Sequence, residues 1–436
     1  MDRQNQFAGE AVRKLREAVV SNANVYIYGA AGFGKTSAVE RVLDRDSAAW
    51  ISLNDTEGHA LQALRACDAS RYVVLDDVQC VESTLLQRQI VQMAGKEGYR
   101  MVMIGRATLP SWLSALRLQS GVLVIPEEEL RATEGELTAY CASAGLKLSR
   151  ERIRTWLALT GGHAMVLEYL VRQLQQGAQD GPALEASIRR TFMSYLDEEV
   201  VGQWSRDVQT FLMQVSVVDA FTLEMAESIT GDDGSALLLS RAERVGNLFS
   251  STGEEWRIRP VLLETMRERA MREFGRRRVN RLLYNAGRYL ESGGQTMQAL
   301  AVYGQCGERD SILSILVREA RKHAGVGQYW ALREYYQALS EEEVEREPVL
   351  MTALSLLHSV LMNTEKSEYW YARLKDYAAN ARGGDRSEAN AQIAYLDIAL
   401  PHRGSGELVR ILKAASTLLR SSGDILRPVS LTNNQP

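Results

Sequence analysis

Residues 29–36, GAAGFGKT, set two glycines, a lysine and a hydroxyl in the order GxxxxGK[ST]. That spacing suits anion binding: glycines let successive backbone N–H groups turn inward around a phosphate. Gly29, Gly32, Phe33, Gly34, Lys35 and Thr36 would then form the loop, with Lys35 bridging the β- and γ-phosphates of ATP or ADP and the Thr36 hydroxyl on Mg2+. A helix opening at Lys35 would add its positive end. The competing reading is a plain glycine turn, and the flanks decide against it. "VYIYGA" before the loop is an apolar run stopped by glycine, and "KTSAVERVLDR" after it places Val39, Val42 and Leu43 at helical spacing.

A second acidic element follows. In "YVVLDD" the apolar run ends in Asp76 and Asp77, which sets carboxylates at the carboxyl edge of a strand, beside the loop. Asp76 would hold Mg2+, directly or through water, and Asp77 would orient or deprotonate an attacking water. Arg106 closes the next apolar run, "MIGR", and is either a sensor of the γ-phosphate or a solvated loop arginine. Gly161, Gly162 and His163 in "LTGGHA" either contact the base or sugar or cap a helix.

Positioning these groups takes a parallel sheet. Short apolar segments at residues 25–30, 48–53, 71–78, 100–106 and 121–126 alternate with helical stretches, which predicts strands covered on both faces. From Arg131 the pattern turns helical, opening on a Thr133/Glu136 capping box. "GAQDGP" at 177–182 reads as a linker, and "NLFSSTGEEWRIRP" (247–260) as a hairpin with a Thr-Gly turn between helices, the mark of a winged helix. From Arg277 to Ser422 about ten irregular helical segments follow, of the kind that bury their faces by stacking.

The 436 residues are too many for one domain. The division expected is a nucleotide-binding domain at 1–130, a helical lid at 131–180, a winged helix at 181–276, a helical-repeat arm at 277–422 and a tail at 423–436. A net charge of -4 excludes a chain that binds nucleic acid by overall charge. The four cysteines show no CxxC pair, which speaks against a zinc site or disulfide framework and for a reducing, cytoplasmic setting. No membrane-spanning run or signal peptide is read. The basic residues Arg267, Arg269, Arg272 and "RRRVNR" (276–281) either meet DNA phosphates or form a salt-bridged face. Tyr284, Tyr289, Tyr303, Trp330, Tyr335 and Tyr336 are either repeat core or a ligand box.

Taken in order, "VYIYGAAGFGKTSAVERVL", "AWISLNDTEG", "VVLDDVQ", "IGRATLP", "VLVIPEEELRATEGEL", "GLKLSRERIRTWLALTGGHAMVLEYL", "FMSYLDEEVV" and "QTFLMQVSVVDAFTLEMAESITG" resemble the MalT-like group of STAND ATPases, the large LuxR-type transcriptional regulators. The resemblance runs from residue 5 to about 340. It implies a P-loop domain, lid, winged helix and TPR-like sensor arm, in which ADP locks a monomeric resting state. An inducer, small molecule or protein, binds the arm; exchange for ATP opens the molecule to self-association, and slow Mg-dependent hydrolysis resets it. By position Gly162 and His163 match the lid motif near the adenine. Arg259, in "RPVL", stands where the group usually offers a histidine to the diphosphate. No helix-turn-helix pattern is read before Pro436, so DNA contact is expected only through a domain outside this chain. The readings set against this switch are a remodelling ATPase with continuous turnover and a helical-repeat scaffold.

Overall fold

The computed structural model describes residues 7–68, 72–96, 98–119, 121–246, 248–322 and 328–400. The chain divides into two compact units, Met1–Leu282 and Leu283–Pro436.

The first unit opens with α1 (Gly9–Val20), β1 (Asn24–Tyr28), α2 (Lys35–Glu40), β2 (Ala48–Ser52), α3 (Glu57–Ala66), β3 (Tyr72–Asp76), α4 (Thr84–Ala94), β4 (Arg100–Gly105), α5 (Ser114–Gln119) and β5 (Val122–Ile125). All five expected strands form, and they pair in parallel in the order β2-β3-β4-β1-β5. Alternation along each strand sends side chains to both faces. Val25, Ile27, Val74, Val102 and Ile104 meet Val12, Leu15 and Val39 on one face. Tyr26, Val73, Leu75, Met101 and Met103 meet Leu64, Leu86 and Ile90 on the other. Both faces are dry, which is why the strands read as unbroken apolar runs. The order puts β1 between β4 and β5 and β3 beside β4, so the ends of β1, β3 and β4 share one edge.

Two details differ from the sequence expectation. The helix after the loop ends at Glu40 and does not continue through Leu43; the Asp44 carboxylate takes the N–H groups of Asp46 and Ser47 and turns the chain toward β2. The hairpin turn is made by Gly253 and Glu254, not by Thr-Gly, because Gly253 supplies the positive φ of 65° the tight turn needs.

Beyond the sheet come α6 (Glu134–Ser143), α7 (Arg150–Thr160), α8 (Ala164–Gln175) and α9 (Pro182–Tyr195), packed around the fully buried Trp156. The Thr133/Glu136 capping box forms as expected. Next are α10 (Arg206–Val215), α11 (Leu223–Thr230), α12 (Ser235–Val245) and the antiparallel hairpin β6 (Phe249–Thr252) and β7 (Glu255–Ile258). Phe221 and Trp256 exchange both backbone hydrogen bonds, which adds a short third strand to the hairpin. Three helices and such a hairpin make a winged helix. α13 (Pro260–Ser292) follows, interrupted at Gly275, whose φ is 71°. Arg267, Arg269 and Arg272 pair with Asp219, Asp197 and Glu273, so these three form a salt-bridged surface.

In the second unit the described elements are the end of α13 and α14 (Thr296–Cys306), α15 (Arg309–Arg321), α16 (Gln328–Ala331), α17 (Arg333–Gln337), α18 (Glu341–Glu345), α19 (Pro348–Val360), α20 (Thr364–Asn380) and α21 (Gly383–Ala399). Every residue of Pro348–Ser359 is buried, which makes α19 the core helix of this unit. The hydroxyls of Ser355 and Ser367 satisfy each other and the facing carbonyls inside it. Tyr303 and Tyr336 are fully buried and belong to the packing core, whereas Trp330 is exposed. The expected helices beyond residue 400 and the tail lie outside the described residues. No described helix is long and apolar enough to cross a membrane.

Candidate functional site

The loop between β1 and α2 carries left-handed glycines at Gly32 (φ 83°) and Gly34 (φ 80°), conformations that other residues adopt only with strain. Lys35 opens α2 and is buried; its Nζ donates to the Ala30 carbonyl at 2.9 Å. Burial, helped by the charge of Arg106, brings its ammonium down to about 8 despite Asp76, Glu127 and Asp77 nearby. A cation this poorly solvated is set up to gain from an arriving anion.

Thr36 follows, and its hydroxyl donates to Asp76 Oδ2 at 3.3 Å. Burial and the neighbouring Asp77 charge raise the Asp76 carboxyl above its ordinary value. One hydroxyl and one carboxylate facing each other are oxygen donors of the kind Mg2+ takes together with phosphate and water. No cluster of three or more His, Cys, Asp or Glu that could cage a metal exists among the described residues.

Asp77 adopts a left-handed backbone, φ 62°, and its Oδ1 accepts from Gln79 Nε2 at 2.7 Å. The Arg106 guanidinium lies 3.6 Å from the same oxygen. Gln79 Oε1 in turn accepts the Arg106 backbone N–H at 3.0 Å. One amide therefore ties the end of β4 to the acid after β3. Gln79 did not stand out in the sequence; its position three after Asp76, in the turn that continues β3, was the available signal.

From the other side, His163 is buried and its Nε2 hydrogen-bonds the Ala31 carbonyl at 2.9 Å. The ring sits between Phe33 and Phe192, with centroids 4.5 and 4.8 Å away. Burial pushes its pKa down to about 4, so at neutral pH it is uncharged, and with Nε2 as donor its buried Nδ1 is a bare acceptor. Met165 N–H bonds Gly32 O at 3.1 Å. Gly162 (φ 75°) packs on Ala132, whose N–H bonds its carbonyl at 3.0 Å. The GGHA segment is thus seated on the loop as well as starting α8.

Arg259 follows β7, its backbone N–H bonded to Leu248 O at 3.0 Å. Its guanidinium pairs with Glu127, and Glu128 lies 3.8 Å away. Glu127 is fully buried, and its Oε2 accepts the Ala30 N–H at 2.8 Å. Arg259 therefore reaches the loop through Glu127, a residue hidden in the acidic run "PEEEL" and missed in the sequence. The structure gathers the other candidates into two groups: Lys35, Thr36 and Asp76 on the loop side, Asp77 and Arg106 across from them.

A five-stranded parallel sheet with this loop on β1 and an acid ending β3, followed by helices and a winged helix, is the fold of a multidomain P-loop ATPase. The particular resemblance comes from the comparisons. Residues 197–278 match the family model of the MalT winged helix domain. Over 375 residues the chain is 22% identical to the HTH-type transcriptional regulator MalT of Vibrio cholerae serotype O1, an alignment covering 73% of this chain and 41% of that protein. The chain thus spans about two fifths of that regulator's length. It is similar to the STAND protein with a tetratricopeptide repeat sensor from Pyrococcus horikoshii, at 16% identity and a TM-score of 0.39, covering 95% of this chain and 64% of that one. It is also similar to a Walker-type ATPase of Pyrococcus abyssi, at 12% identity and a TM-score of 0.45, covering 61% and 95%. The chain resembles the MalT-like STAND ATPases, as its motifs implied.

Proposed function

We propose that this chain is a signal-responsive ATP/ADP switch of the STAND class serving transcriptional regulation. The observation that carries the reading is the convergence of three parts on one loop. The sheet supplies Lys35 and Thr36, the following helices seat His163 on Ala31, and the winged helix reaches Ala30 through Arg259 and Glu127. A loop closed from two sides suits a retained nucleotide better than a rapidly exchanging substrate.

In this reading Gly29 to Thr36 hold the phosphates, with Gly162 and His163 toward the adenine. Bound Mg2+ would be shared by Thr36, Asp76 and the nucleotide and would neutralise phosphate charge. Lys35 holds the β- and γ-oxygens. Asp77, fixed by Gln79, orients a water, and Arg106 answers to the γ-phosphate. Residues 131–180 act as lid, 181–276 as winged helix and 277–422 as the sensor arm for an inducer. Self-association follows in the ATP form, in the cytoplasm. Hydrolysis is slow, because turnover only resets the switch.

The test is to purify the chain without added nucleotide, denature it and identify what is released by chromatography. Near-stoichiometric ADP is expected. A protein that comes empty and hydrolyses ATP many times per second is a remodelling ATPase, and one that binds no nucleotide is a scaffold. Within the switch, Asp76→Ala should weaken Mg2+-dependent ATP binding at least ~10-fold, as expected for one lost charge-assisted contact, and ADP binding much less. Titration calorimetry with and without Mg2+ reads the difference; equal losses for both nucleotides would leave Asp76 a structural residue.

A further inference from the structure

Glu127 lies in a single turn of helix at Glu127–Glu129, where the chain leaves β5. Taking a carboxylate out of water costs several kcal/mol unless charge and hydrogen bonds surround it. Here they do, and each partner comes from a different part of the first unit. Ala30 of the phosphate loop donates its N–H to Oε2 at 2.8 Å. Arg259 of the winged helix pairs with Oε1. Arg131, at the start of the helical segment, lies 3.5 Å from the same oxygen. The loop itself is fitted closely to this side chain, since a Cβ added to Gly29 would stand 3.0 Å from Glu127 Cβ.

We infer that Glu127 is a positioning residue that holds the winged helix closed over the phosphate loop through Arg259 and so sets how fast a bound nucleotide leaves. The inference rests on the nucleotide-binding reading above. The Arg259 backbone is bonded to Leu248 beside the hairpin, so its guanidinium travels with the winged helix. Any opening that carries the winged helix away breaks the Arg259–Glu127 ion pair. Losing that buried pair penalises opening. Removing one partner of a buried pair is far worse than removing both, because the uncompensated charge is the costly part. That asymmetry separates an ion-pair latch from general loosening.

The experiment follows release of a fluorescent ADP analogue, N-methylanthraniloyl-ADP, from the full chain by stopped flow. Wild type, Glu127→Gln, Arg259→Gln and the double variant are compared, with circular dichroism to check folding. Arg259→Gln should release the analogue roughly 10-fold faster or more, with its association rate nearly unchanged, because the ion pair it removes stabilises only the closed state. The double variant should release more slowly than Arg259→Gln alone. If Arg259→Gln does not fold, Arg259→Lys replaces it; keeping the charge while losing the forked donor should accelerate release several-fold. Wild-type release rates in every variant overturn the inference, and so does a double variant as fast as the two single effects multiplied. A wild-type chain that does not bind the analogue at all overturns the nucleotide reading itself, and the latch with it.

Discussion

Lys35→Ala is expected to abolish nucleotide binding, weakening ADP and ATP affinity at least ~100-fold, since two charge-assisted hydrogen bonds of roughly 1.5–3 kcal/mol each are lost. The structure gives the loss a second source. The ammonium is buried against the Ala30 carbonyl, and burial holds it near about 8, so the free protein has desolvated a cation without a full charge partner. A polyphosphate provides that partner and raises the lysine's pKa. The pH dependence follows in sign: below about pH 8 the lysine is already charged and affinity is flat. Above it each binding event must take up a proton, so affinity falls by up to ~10-fold per pH unit. Titration calorimetry at pH 7 and pH 9 in buffers of different ionisation enthalpy measures both the fall and the proton uptake. A wild type with equal affinity and no proton uptake at pH 9, or an alanine variant that binds normally, would remove Lys35 from the cradle.

The sheet and the loop were legible in the sequence because each is written locally. A strand buried on both faces must be apolar at every position, so the runs ending at Tyr28, Asp76 and Gly105 announce themselves. The glycine loop is legible because left-handed φ at Gly32 and Gly34 restricts the residue type. Long-range pairing is not written this way. Glu127 looks like any solvated acid in "PEEEL"; what buries it are Ala30, 97 positions away, and Arg259, 132 away. Gln79 looks like an ordinary turn residue until β3 and β4 are laid side by side and its amide finds both Asp77 and Arg106. The histidine of "LTGGHA" left two readings open, capping or ligand contact, because the sequence does not show that α8 starts against the phosphate loop. The short α2 was missed for a related reason: the apolar spacing of Val42 and Leu43 persists beyond the helix, serving the core through a turn closed by Asp44.

Gly32→Ala should separate the loop from the helical segment without unfolding the sheet. Two independent costs arise at this position. The backbone sits at φ 83°, where a Cβ costs about 1–2 kcal/mol. The new methyl would also overlap His163 Cε1 and stand 2.9 Å from its Nε2, with Met165 Cβ at 3.4 Å. Neither neighbour has room to give. His163 is wedged between Phe33 and Phe192, and Met165 N–H is bonded to the Gly32 carbonyl itself. The relief available is for the His163 ring to leave Ala31, which frees the start of α8 from the loop. Nucleotide retention should therefore collapse, with release ~100-fold faster if about 3 kcal/mol of closed-state stability is lost. Thermal unfolding of the sheet should shift by only a few degrees, because its two apolar faces are untouched. A His163→Ala background makes the decisive comparison. With the ring gone the clash disappears, so adding Gly32→Ala there should cost only the backbone strain and accelerate release ~10-fold. The same large acceleration in both backgrounds would mean that His163 does not close the loop, and that Gly32 acts through its backbone alone.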